Sequence, residues 1–116
     1  MIYLEKTGEK IVIAEKTIIA RSFSERAFGL IFRKFGEELD SMVFDRCNLI
    51  HSFFMSYKFD LIFVNREQKI VALYESAAKN RIFFGGKALD LVAIELPEGI
   101  IRKFDIKNGD FLTIER

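Results

Sequence analysis

The chain has 116 residues and a mass of 13.5 kDa, and half of its residues are hydrophobic, enough to fill one substantial core without a metal or a disulfide. Eighteen Lys and Arg stand against seventeen Asp and Glu, a formal net charge of +1, which removes the bulk electrostatic case for nucleic acid or an anionic membrane as partner. A single Cys excludes an internal disulfide, and the opening "MIYLEKTGEK" carries neither a signal-peptide apolar run nor the roughly 20 apolar residues of a membrane span, so a cytoplasmic protein is expected.

The first expected element is a hairpin, because "IYLE" and "KIVIA" flank Lys6, Thr7, Gly8 and Glu9, and Gly8 accepts positive φ. The period then changes. In "SFSERAFGLIFRK", Ser22 and Glu25 have capping-box spacing and Phe23, Ala27, Leu30 and Ile31 supply an apolar face, which predicts a helix from about Phe23 to Arg33. Arg26 and Arg33 share a stripe of that helix with Gly29 between them. A glycine there costs about 1 kcal/mol relative to alanine, so either something approaches closely or a first helix ends at Gly29.

"NLIHSFFMSY" (Asn48 to Tyr57) holds the one histidine, and its aromatic content predicts an extended segment. "DLIFV" (Asp60 to Val64) and "KIVALY" (Lys69 to Tyr74) are near-continuous apolar runs on either side of the polar residues Asn65 to Gln68, as expected for a central hairpin covered on two sides. In "RIFFGGKA", Phe83 and Phe84 precede two glycines. That composition suits a mobile loop tip serving as lid or partner contact, or two rings tucked inward while the glycines turn the chain. "DLVAIEL" (Asp90 to Leu96) is a third apolar run, and "DFLTIE" (Asp110 to Glu115) closes the chain as a strand after the turn dipeptide Asn108-Gly109.

There is no repeat, low-complexity tract or Pro/Ser-rich linker. A single domain over residues 1–116 is expected, mainly β: a compact barrel or sandwich of short strands with one flanking helix. A 30% charged composition with one Gln suits a thermophile's preference for ion pairs over labile amides.

Several motifs recur in order: "RAFGLIFR" (Arg26 to Arg33), "MVF" (Met42 to Phe44), "IHSFFM" (Ile50 to Met55), "FDLIF" (Phe59 to Phe63), "KIVAL", "IELPEG" (Ile94 to Gly99) and the pair Gly109, Asp110. Together they resemble the domain of unknown function 192 family, a group of small prokaryotic domains, over most of the chain. Two departures stand out: Ser52 where the family often has Thr, and "ESAAKNRIFFGGKA" where it usually has a proline-containing loop. The resemblance implies a compact β-barrel or β-sandwich. The family has no established activity, so it supplies no catalytic residue.

Cys47, His51 and Met55 recur every fourth residue and are soft-metal ligand types. On a strand rising about 3.3 Å per residue, however, Cys47 and Met55 would stand roughly 26 Å apart, so no metal and no cofactor are expected. Cys47 is read as core, and His51 and Met55 as either core or pocket residues. Arg26, Arg33, Asp60 and Glu95 form a second group, because a buried carboxylate is costly unless paired and an arginine fork is its best partner. They would either clamp helix to sheet or stand at a pocket mouth. Asp60 and Glu95 could also be the paired carboxylates of a glycosidase. A Ser-His-Asp hydrolase is disfavoured by the lack of a Gly-x-Ser-x-Gly elbow.

The leading expectation is a non-enzymatic binding module. Its pocket for a small anionic or hydroxylated ligand would be drawn from Arg26, Arg33, His51, Phe53, Met55, Asp60 and Glu95. One alternative is a small hydrolase or lyase using His51 with Asp60 or Glu95. Another is a protein-interaction module using a sheet edge or the Phe83–Phe84 loop. Nucleic acid and membrane are not expected as partners, while a protein partner or a homo-oligomer stays open.

Overall fold

The computed structural model describes residues 1–21, 35–53 and 55–116. Ten strands carry the fold among these residues: β1 (Ile2–Lys6), β2 (Glu9–Ala14), β3 (Thr17–Ile19), β4 (Ser41–Phe44), β5 (Leu49–His51), β6 (Phe59–Val64), β7 (Ile70–Ala77), β8 (Ile82–Phe84), β9 (Val92–Pro97) and β10 (Phe111–Ile114). A single helical turn, α1 (Ile100–Lys103), lies between the last two.

The apolar runs form the middle of the molecule. β6 is buried at all six positions and lies between β9 and β7 in a five-stranded sheet of order β3-β4-β9-β6-β7. Successive side chains of a strand point to opposite faces. Thus Phe59, Leu61 and Phe63 join Met42, Phe44 and Ala93 in one core, while Ile62 and Val64 join Val43, Ile94 and Leu96 in another. A three-stranded sheet, β10-β1-β2, closes the second core with Ile2, Leu4, Ile13 and Leu112. The ribbon of β5 and β8 closes the first core with Ile50 and Phe83, helped by Leu39, Met55 and Leu91. The central strands β6 and β9 are covered on both faces, which is why they show no polar alternation. Each fully buried Leu, Ile or Phe contributes about 1.5–3 kcal/mol, so the doubly covered sheet is the main store of stability.

The sheets stack as a sandwich and do not close into a barrel. β3 and β7 end the five-stranded sheet without pairing with each other, and an isolated bridge between Lys69 and Phe111 joins the two larger sheets at one corner. The expected central hairpin is also displaced. β7 is an edge strand with Val71, Glu75 and Ser76 exposed, and β9, not β7, shares the centre with β6.

Local chemistry explains the connections. Thr7 (φ 47°) and Gly8 (φ 82°) make a two-residue turn with positive φ at both positions, the geometry that matches strand twist in a hairpin. β3 and β4 pair in parallel, which a tight turn cannot achieve, and residues 20–40 connect them. The helix expected from Phe23 to Arg33 falls in that connection and lies outside the described residues. The α1 turn has no forerunner in the sequence reading, because four residues are too few to show a helical period.

"NLIHSFFMSY" is extended only over Leu49–His51. The chain then turns, with Met55 N–H donating to Ser52 O at 3.3 Å, so the long strand assumed between Cys47 and Met55 does not form.

Candidate functional site

Asp60 lies opposite the β-bulge of β7, where the register slips between Phe59 and Leu61. It is buried, and three backbone donors hold its carboxylate: Ser76 N–H at 2.9 Å on Oδ1, and Gly99 N–H at 3.1 Å and Ile101 N–H at 2.8 Å on Oδ2. Ser76 (φ 50°) and Gly99 (φ 100°) both have left-handed backbone, so Asp60 fixes two unusual conformations at once. The clamp expected of this residue is therefore made to main-chain N–H groups, joining β6 to β7 and to α1.

Glu95 differs in its face and its partners. Opposite Leu61 and Met42 in the ladder, it shares the face of Ala93, whereas Asp60 takes the face of Ile62. The two carboxylates thus stand on opposite faces of one sheet and cannot flank a common bond. Glu95 is buried, and its Oε2 has no hydrogen-bond partner among the described residues. Burial pushes its pKa up to about 8, so at neutral pH it is largely the uncharged acid.

Tyr57 senses this group. Its phenol is pushed up to about 12, first by burial and then by the charge of Glu95. The ring meets Phe35 edge-on with centroids 6.2 Å apart. Beside them opens a cleft of about 300 Å³ lined by Phe35, Ser56, Tyr57, Lys58, Pro97 and Glu98. Its walls are apolar rings and a proline, with one cation and one anion at the surface, the mixture typical of a small-molecule site.

His51 and Phe53 lie elsewhere, on the outer side of the ribbon. Their rings stack at 5.2 Å, and Phe53 N–H donates to His51 Nδ1 at 3.3 Å. The five-stranded sheet separates His51 from Asp60, and no hydrogen bond joins His51 to Glu95 among the described residues. Met55 packs into the core that also receives Cys47, whose Sγ–H donates to Leu49 O at 3.2 Å. Arg26 and Arg33 lie outside the described residues. Among those residues no group of three His, Cys, Asp or Glu side chains is placed to hold a metal ion, and no helix is long and apolar enough to cross a membrane.

Among the described residues, none of the expected pocket residues lines the cleft, and Glu95 reaches it only through its charge on Tyr57. Phe35, Ser56, Tyr57, Lys58 and Glu98 escape a reading based on chemical motifs, since none belongs to a catalytic or ligating pattern. Ser52 is missed for another reason. Fully buried, its hydroxyl donates to Ala78 O at 2.5 Å and accepts from Arg81 N–H at 3.0 Å. The Thr that the family often carries there has the same oxygen, and that exchange is the signal that marks Ser52 as structural.

The fold and cleft define a β-sandwich domain with a small polar-aromatic depression beside a buried acid. Residues 3–114 match the family model described as DUF192, uncharacterized ACR, and the chain belongs to that family. Two solved structures share the fold. One is a protein of unknown function from Novosphingobium aromaticivorans (TM-score 0.79, 22% identity, covering 97% of this chain and 83% of that one). The other, from Sinorhizobium meliloti, is described as a candidate transcription regulator (TM-score 0.76, 20% identity, covering 97% and 90%). No curated protein matches the chain.

Proposed function

We propose that the domain is a non-enzymatic binding module that takes a small hydroxyl-bearing ligand into the cleft of Phe35, Ser56, Tyr57, Lys58, Pro97 and Glu98. One observation carries the reading: Glu95 is a buried carboxyl group with one oxygen unpartnered among the described residues, and its charge acts on a tyrosine that lines the cleft. Such an orphaned group is costly unless something pairs with it. As the neutral acid, Glu95 both donates and accepts a hydrogen bond, which suits a hydroxyl better than an anion. Lys58 extends the range to hydroxy acids. Binding needs no second catalytic group, and the engagement of Asp60 by three backbone donors leaves Glu95 without a carboxylate partner for acid–base work.

The test is a thermal-shift screen with neutral sugars, polyols and hydroxy acids. A ligand at 100 times its Kd stabilises by about 2.7 kcal/mol, well within reach of the method. At least one hydroxylated compound raises Tm for the wild type, and Tyr57→Phe and Glu95→Met each abolish that response while remaining folded. Arg26→Gln and Arg33→Gln report whether those arginines share the ligand. A panel without a hit, or a response that survives in both Tyr57→Phe and Glu95→Met, overturns the reading.

A further inference from the structure

The ribbon of β5 and β8 presents a second surface, independent of the cleft. Its ladder continues through Ser52 N–H to Arg81 O and Gly85 N–H to Asn48 O. The hydrogen-bonded pairs are therefore 48 with 85, 50 with 83 and 52 with 81, by the alternation of antiparallel strands. It follows that the backbone groups of Ile82 and Phe84 point away from β5. The Tyr74 hydroxyl donates to Phe84 O at 2.6 Å, whereas Ile82 N–H, Ile82 C=O and Phe84 N–H have no partner among the described residues. Among the described residues β8 thus offers an open edge.

The side chains along that edge split by parity. Phe83 turns inward against Phe59 and Tyr74, while Ile82 and Phe84 project outward at 59% and 50% exposure. Leu49 and His51 stand opposite them across the ribbon, and Phe53 stacks on His51, so apolar side chains surround a single imidazole on the outer face. Charge adds a direction. No acidic residue occurs between Glu75 and Asp90, and the exposed Lys79, Arg81 and Lys87 make no ion pair among the described residues.

We propose that the open edge of β8 docks an extended acidic segment of a protein partner by strand addition. The backbone of the segment would pair with Ile82 and Phe84, its apolar side chains would rest on the outer face of the ribbon, and its carboxylates would meet Lys79, Arg81 and Lys87. Main-chain pairing supplies the affinity, and the cations select an acidic sequence over a basic one. An anionic bilayer would meet the same charges and apolar side chains. It would, however, leave the free N–H and C=O groups of Ile82 facing hydrocarbon with nothing to bond, which favours a peptide.

The experiment uses a blocked peptide of alternating valine and glutamate, its valine–lysine counterpart, and vesicles of phosphatidylcholine and phosphatidylserine in equal parts. The acidic peptide shifts the amide resonances of Ile82 and Phe84 and slows exchange of the Ile82 N–H. The lysine peptide binds at least about tenfold more weakly, as does the acidic peptide to Ile82→Ser/Phe84→Ser and to Lys79→Glu/Arg81→Glu. All four substitutions are at exposed positions, so the variants keep the wild-type melting temperature. Equal affinity for the two peptides, absence of acidic-peptide binding, or vesicle binding without protection of Ile82 overturns the proposal.

Discussion

At the scale of single residues, Asp60 and Glu95 look alike in sequence, each a carboxylate set in an apolar run, and the strand register separates them. Asp60 falls where three backbone N–H groups converge, and Glu95 falls on the face that Met42 and Leu61 share. No local pattern encodes that difference, because it depends on which distant strand lies opposite. The consequence for pH is direct. The pKa of Glu95 is raised from 4.5 to about 8 by burial, so between those values the folded state keeps a proton that the unfolded chain releases. Stability should then fall as pH rises through this window, by up to about 1.4 kcal/mol per pH unit, and level off above it. Urea titrations of the wild type should show that decline, and Glu95→Gln, which keeps the shape of the neutral acid, should flatten it and be the more stable protein at pH 8. Equal slopes for the two proteins would mean that Glu95 is ionised and paired. Asp60→Asn should act in the opposite sense: it replaces one accepting oxygen by an amino group facing backbone donors and should cost about 2–4 kcal/mol near neutral pH, read from the same titrations.

Individual elements divide into those set by neighbours in sequence and those set by contact. The β1–β2 hairpin was readable because Thr7 and Gly8 carry their own turn chemistry, and β6 and β9 because continuous apolar runs of strand length have few alternatives. β5 was not, since its end is decided by the grip of residues 78–81 on Ser52. The "RIFFGG" stretch shows both cases. The aromatic pair divides, with Phe83 inside and Phe84 outside, because it lies on a strand and not on a loop tip. Gly85 serves close approach: a Cβ built on it would stand 2.4 Å from the ring of Phe63, which is fully buried and has nowhere to retreat. Gly85→Ala should therefore lower stability by about 1–3 kcal/mol through overpacking. The ring of Phe63 should shift in the NMR spectrum, while Gly36→Ala, whose added Cβ meets nothing within 4 Å, should leave both measures unchanged.

For the whole molecule, composition and run length pointed to a strand-rich fold, but the layer order was not readable. The neighbours that build it, β1 with β10 and β4 with β9, are far apart in the chain, and nothing local records the pairing. The resulting order places one sheet between two cores, so each core should depend on the other through strands they share. Leu61 and Ile62 are adjacent in β6, fully buried, and point into opposite cores. Truncating either to alanine should cost about 2–5 kcal/mol. Because β6 cannot leave one core while remaining in the other, both variants should unfold in a single transition. That transition can be followed by the methyl resonances of Ile13 on the side of the three-stranded sheet and of Ile50 on the side of the ribbon. If the layers were separable, Leu61→Ala would lower the Ile50 midpoint alone and Ile62→Ala the Ile13 midpoint alone. A shared sheet requires that the two midpoints move together in each variant, since the backbone ladder of β6 to β7 and β9 is the common wall of both cores.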